Sequence, residues 1–196
     1  MADHIFGDRN VFQKLLGITL LLIPLSGFAQ VAPSTTGGGF SLSAGAEYSN
    51  FQPDWGPNRL GGVAAFADAD HIFLRRLGVE GEGRWLIFNQ FHGEHESNYL
   101  LGPRYRFYRL NKFSFYAKFL MGAGLITYPS DIGHGSYFAY APGGTVEYRL
   151  SRRFIVRGDY EYQIWPSAPG VVFTFPNPSN GLTPNGFSGG IAYKIF

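Results

Sequence analysis

From Phe40 onward the chain divides into segments of about ten residues in which apolar and polar side chains take alternate positions. Successive side chains of a strand point to opposite sides, so period two marks a sheet whose faces meet unlike surroundings. Eight such segments are predicted: 40–48, 59–69, 77–88, 97–108, 113–127, 137–150, 154–164 and 187–195. They leave no room for a helical layer. The expected fold class is all-β, an eight-stranded antiparallel up-and-down transmembrane β-barrel.

Seven segments declare their faces. In the first, Phe40, Leu42, Ala44, Ala46 and Tyr48 oppose Ser41, Ser43, Gly45 and Glu47. In the third, Val79, Trp85 and Ile87 oppose Glu80, Glu82 and Arg84; in the fourth, Tyr99, Leu101, Tyr105 and Phe107 oppose Asn98, Arg104 and Arg106. Phe115, Phe119 and Met121 face away from Lys118, and Val146, Tyr148 and Leu150 away from Thr145, Glu147 and Arg149. In the seventh, Val156, Tyr160 and Tyr162 oppose Arg157, Asp159 and Glu161, and in the eighth Ile191, Tyr193 and Ile195 oppose Ala192 and Lys194. The second segment has small residues on both parities and its faces stay unassigned.

The connections alternate in length as well. Leu110–Lys112 and Ser151–Arg153 are tight, whereas 49–58, 89–96, 128–136 and 165–186 are longer and rich in Gly, Pro, Asn or His. Short turns at one end and long loops at the other are the habit of outer-membrane barrels, and strands of this length span a bilayer when tilted. A mean hydropathy of −0.06 does not oppose this, because polar lumen faces cancel apolar outer ones. The 17% aromatic share suits strands and interfacial girdles. The absence of Cys excludes disulfides and thiolate chemistry, and a formal charge of +2 points away from a nucleic-acid partner.

Ahead of the array, Leu15–Leu25 is an apolar run of about eleven residues, too short to cross a membrane as a helix. Lys14 before it and Gly27-Phe28-Ala29 after it make residues 1–29 a predicted signal peptide, with 30–39 a flexible periplasmic lead-in and 40–196 the barrel domain. Export, an even strand number and both ends on the short-turn side imply an outer-membrane protein with periplasmic termini.

A soluble barrel would show the same alternation with its apolar face inward; the opposite face decides between them. Here that face carries Glu47, Glu80, Glu82, Glu147, Asp159 and Glu161 with Arg84, Arg104, Arg106, Lys118, Arg149, Arg157 and Lys194. Six acids and seven bases nearly cancel, so an ion-paired lumen under an apolar outer surface is expected, filled too closely for an evident pore.

Gly143-Gly144-Thr145-Val146-Glu147-Tyr148-Arg149-Leu150, Arg157-Gly158-Asp159-Tyr160-Glu161-Tyr162-Gln163, Leu77-Gly78-Val79-Glu80-Gly81-Glu82 and Gly102-Pro103-Arg104-Tyr105 resemble the small OmpA-like outer-membrane β-barrel family. The resemblance covers roughly 38–196 and implies a barrel-only member without the peptidoglycan-binding domain of some relatives. Gly190, Tyr193, Ile195 and Phe196 are similar to the signal by which the barrel-assembly machinery recognises such proteins. The implied partners are outer-membrane lipid and lipopolysaccharide.

Candidate chemistry is sparse. His95-Glu96-Ser97-Asn98 resembles the His-x-Ser-Asn element of PagL-type lipid A deacylases, with His95 and Ser97 on one face; Arg109 stands where such enzymes place an acid. Arg157, Asp159 and Glu161 share a face, and ion pairing explains them more simply than catalysis. His92, Glu94 and His95 lack the enforced geometry of a metal site, and no metal or cofactor is expected. Phe51–Trp55 and Val171–Phe175 place aromatics in loops 49–58 and 165–186, suited to an extracellular partner, to β-augmentation or to lipid headgroups. The sequence favours a non-enzymatic structural or surface-interaction role; a lipid A-modifying barrel or a minor diffusion pore are the alternatives.

Overall fold

The computed structural model describes residues 39–72, 74–170 and 181–195; the predicted leader, all but the end of the lead-in, Val171–Phe175 and Phe196 lie outside them. The strands are β1 Ser41–Gln52, β2 Leu60–Asp70, β3 Leu77–Phe88, β4 His95–Leu110, β5 Phe113–Thr127, β6 His134–Arg149, β7 Phe154–Tyr162 and β8 Asn185–Lys194. Each pairs antiparallel with its chain neighbours, and β8 closes the barrel on β1. Where the strands outrun the predicted segments, polar residues sit on both parities: β4 begins at His95 and β6 at His134, in stretches the alternation could not mark.

Closure fixes the tilt. Following paired residues from Phe113 through Tyr148, Val156, Ile191, Ala46, Ala65, Gly83 and Tyr99 leads back to β5 at Ala123, ten residues from the start. A stagger of that size in eight strands demands steep inclination and leaves an interior just wide enough for side chains. At the short-turn end, β4 and β5 join through two residues, with Asn111 at φ 52°, a left-handed position that Asn tolerates in tight hairpins. Ser151 Oγ accepts from Phe154 N at 3.1 Å and ties the β6–β7 turn.

The charged parity faces the lumen and the apolar parity faces out. Leu101 is 60% exposed, Ile191 57% and Phe187 65%, whereas Glu80, Arg84 and Glu161 are fully buried. β2, whose faces the sequence left open, turns Val63, Ala65 and Ala67 outward and Ala64, Phe66 and Asp68 inward. Aromatic pairs gather toward both ends of the outer surface. Phe113–Tyr148 at 4.8 Å and Phe154–Tyr193 at 5.5 Å lie near the short turns. Trp85–Tyr99, joined by an indole-to-hydroxyl hydrogen bond of 3.0 Å, and Phe138–Tyr140 lie toward the loops. Gly190 is a close-approach position on the lumen side: a Cβ there would collide with the Ala46 carbonyl and with Glu47. Tyr193 and Ile195 point outward.

Candidate functional site

The lumen is built in three levels. At mid-height, Lys118 on β5 places Nζ 2.6 Å from Glu161, 2.9 Å from Asp159, 3.0 Å from Glu80 and 3.4 Å from Glu82. Arg157 reaches Glu80 (2.5 Å), Asp159 (2.8 Å), Glu47 (2.9 Å) and Asp68 (3.8 Å). Arg104 reaches Glu147 (2.5 Å), Asp68 (3.0 Å), Glu80 (3.3 Å) and Asp70 (3.3 Å), and Arg84 holds Glu82 and Glu161. Glu80 is the shared centre, touching Lys118, Arg157 and Arg104. Each guanidinium also lies over an aromatic ring: Arg84 on Phe51, Arg104 on Tyr116 and Arg157 on Phe66, at 4.1, 3.7 and 4.0 Å. Stacking of this kind lets planar guanidinium groups be buried without further hydrogen-bond partners on their faces.

This arrangement departs from the sequence expectation in its membership and balance. Asp68 and Asp70 join it from β2. Arg106, Arg149 and Lys194 share the lumen parity, yet among the described residues they take part in no ion pair, because they stand at the short-turn mouth. The described network therefore sets eight carboxylates around four cations. It is acid-rich, not balanced. Asp68 and Asp70 alternate with Ala69 on the parity of Phe66, the one signal from which β2 could have been oriented.

Above the ions, toward the long loops, large apolar side chains enter the lumen beside the buried Glu96 and Asn98. Trp165, Leu100, Leu120, Ile126, Ala139, Ala141 and Leu182 form one buried cluster. Gly124 has no side chain because the Trp165 ring occupies the place where a Cβ would be. Trp165 Nε1 donates to Gln163 Oε1 (3.0 Å), and Gln163 Nε2 donates to Glu161 (3.1 Å), linking plug to ion network. Phe51, expected in an exposed loop, is 1% exposed: β1 continues to Gln52 and carries the ring inward under Arg84. Trp55 packs edge-on against Tyr128 and its indole donates to Pro169 O, so loop 53–59 is tied to the 163–170 segment. Asp54 fastens Thr183 through its backbone N–H and hydroxyl at 2.8 and 2.7 Å. The described parts of the two loops expected to meet a partner thus spend Phe51, Trp55, Trp165 and Leu182 on internal packing.

The His92–Glu94–His95 run does not converge on a metal. His92 stacks edge-on with Phe91, Glu94 is buried beneath Gly56, and His95 turns its Nδ1 to Gly93 O at 3.0 Å. Burial pushes the Glu94 carboxyl up to about 7. A raised carboxyl pKa means the folded state binds the proton more readily than the unfolded one, so stability falls as pH climbs from about 4.5 to about 7. Glu94→Gln is therefore expected to protect loop 89–94 from proteolysis at pH 8 and to change nothing at pH 4. Equal protection at both pH values would refute the burial of an ionisable group there.

His95 and Ser97 lie on the outer surface, as their shared parity requires, not in the lumen. They line a shallow depression of about 520 Å³ with Thr127, His134 and Ser136. No described hydrogen bond joins His95 to Ser97, and Arg109 stands at the opposite end of β4.

No family model matches the chain, and no curated protein matches it. Among solved structures it is similar to Neisserial surface protein A, NspA, with a TM-score of 0.54 and 12% identity, covering 80% of this chain and 97% of that one. Ail of Yersinia pestis aligns with a TM-score of 0.49 and 15% identity over 82% of this chain and all of its own. OprG of Pseudomonas aeruginosa aligns at 0.46 and 12% identity over 80% and 95%. The fold is thus that of the small eight-stranded outer-membrane barrels, as the likeness to NspA shows.

Proposed function

We propose that the chain is an integral outer-membrane β-barrel, non-catalytic, with a structural or surface-interaction role and a lumen closed by ion pairs and an apolar plug. One observation carries this reading: an apolar and aromatic outer surface encloses a charged interior whose central groups, Glu80, Arg84 and Glu161, are fully buried. Water would leave the outer surface unsatisfied and lipid would not. Among the described residues no helix is long and apolar enough to cross a membrane, so in this reading the strands do so. Residues 1–29 direct export, β8 presents Gly190, Tyr193 and Ile195 to the assembly machinery, the chain's two ends lie in the periplasm, and the long loops face outward. The sequence motifs resemble those of the OmpA-like barrels, which supports this reading.

Outer-membrane fractions should contain the mature chain, and on a denaturing gel its unboiled form should run ahead of the boiled one. Recovery as a detergent-free soluble protein with no such shift would overturn the assignment. Tyr160, outward and midway along β7, gives an energetic check: Tyr160→Arg is expected to cost about 2–4 kcal/mol in lipid. A near-neutral result would mean that this surface does not meet the hydrocarbon.

A second reading, a lipid A-modifying enzyme, draws support from the outward depression that holds His95 and Ser97. It requires that expression alter lipid A acylation and that Ser97→Ala abolish the change.

A further inference from the structure

The cations of the barrel domain are distributed unevenly. Fourteen Lys and Arg lie within 40–196. Four serve the lumen network, Arg59 lies at the long-loop end, and the other nine stand at the short-turn mouth: Arg75, Arg76, Arg106, Arg109, Lys112, Arg149, Arg152, Arg153 and Lys194. The lumen opens there into a cavity of about 140 Å³ lined by Arg106, Arg109, Lys112, Arg149 and Lys194, together with Asp70 and Glu147. Both acids are engaged from the lumen side: Arg104 contacts Asp70 at 3.3 Å and Glu147 at 2.5 Å, and Tyr116 OH donates to Asp70 at 3.1 Å. Among the described residues no ion pair reaches the five cations of the cavity.

Two local features hold cations toward this opening. A β-bulge between Arg106 and Tyr108 shifts the register of β4 against β5. Phe107 and Tyr108 consequently both face outward, at 53% exposure each, and Arg109 pairs with lumen-facing Ser114. Without the bulge, Arg109 would fall on the parity of Tyr105 and Phe107, on the apolar outer surface. Re-aiming a side chain is a recognised use of such bulges. Arg106 is braced by donating to Arg75 O at 3.1 Å, and its Nη2 lies 3.1 Å from His71 Nε2. Burial and the neighbouring guanidinium lower the His71 pKa, which favours a neutral imidazole accepting that hydrogen bond.

We infer that the short-turn mouth is a binding site for phosphate-class anions, with Arg106, Arg109, Arg149 and Lys194 as the groups that hold them. Guanidinium groups meet phosphoryl oxygens through paired N–H donors, and a cavity of this size takes a phosphoryl group, not a large solute. The same chemistry is offered by a free phosphorylated solute and by the headgroup of an anionic phospholipid around the mouth. The site is distinct from the outward His95–Ser97 depression and does not depend on the assignment of the long loops.

The test uses the full mature barrel refolded in a zwitterionic detergent and titrated calorimetrically with pyrophosphate at low ionic strength. Saturable binding is expected, weakening as salt is added. Arg109→Gln combined with Lys194→Gln should weaken it at least tenfold, whereas Arg59→Gln at the opposite end should not. An unchanged gel shift on heating confirms that each variant is folded. A second arm places the barrel in nanodiscs of phosphatidylcholine with or without phosphatidylglycerol. Pyrophosphate binding equal in both discs identifies a free solute as the source. Binding suppressed by phosphatidylglycerol, and restored by its removal, identifies the lipid headgroup. Absence of saturable binding in detergent and in both discs, or binding indifferent to the double substitution, overturns the site.

Discussion

Lys118→Met is expected to lower the unfolding free energy of the barrel by about 3–5 kcal/mol, the usual cost of removing one member of a buried ion network. The cause is local crowding. Lys118 Nζ is the point where Glu80, Glu82, Asp159 and Glu161 meet, all within 3.4 Å. Each keeps a guanidinium elsewhere, on Arg84, Arg104 or Arg157, but eight carboxylates would then share three cations. Lys118→Arg keeps the charge but needs more room than the lysine leaves, so a smaller loss is expected. Adding Glu161→Gln to Lys118→Met should recover part of the loss, since it removes one of the charges left without its cation. Urea titrations in detergent, followed by the loss of the fast-migrating band, read the difference. A change below about 1 kcal/mol for Lys118→Met would show that the network is solvated and adds little to stability.

How far the sequence foretells this depends on residue contrast. Strands such as β7, where Val156, Tyr160 and Tyr162 alternate with Arg157, Asp159 and Glu161, announce both their existence and their faces, because unlike surroundings demand unlike side chains. β2 is mute. Its outward positions are Val63 and small residues, its lumen positions mix Gly62 and Ala64 with Leu60 and Phe66, and only Asp68 and Asp70 carry information. That silence concealed two acids of the network and made the lumen look balanced. The bulge on β4 did leave a trace, since Arg106-Phe107-Tyr108-Arg109 sets two aromatics side by side and breaks the alternation, but the predicted segment stopped at Tyr108, before Arg109 could show the change of parity. Loop residues misled for a different reason. Phe51 and Trp55 look like exposed aromatics when no strand partner is visible, but the narrow barrel needs large side chains to close its upper lumen, and Trp165, which the sequence did not single out, fills most of it. Gly124 shows the complementary half of that requirement, and neither half is intelligible without the other.

Trp165→Ala tests the plug. Its indole is fully buried, seated on Gly124 and hydrogen-bonded to Gln163. Truncation leaves a cavity that the rigid barrel wall cannot collapse to fill, so a loss of about 3–5 kcal/mol is expected. Gln163 would also lose a partner while still donating to Glu161, loosening the link between apolar and ionic levels. Conductance should nevertheless stay absent in planar bilayers, for wild type and variant alike, because the ion network below the plug closes the lumen independently. Three outcomes separate the levels. Instability without current means that the ion network alone suffices as a barrier. Current in Trp165→Ala alone would make the plug the sole gate and the charged layer permeable to ions. Reproducible unitary current in the wild type would overturn the closed lumen and return the diffusion-pore reading. Gly124→Leu should reproduce the destabilisation from the opposite side by displacing the same ring, and a neutral result there would mean that Trp165 does not occupy the lumen.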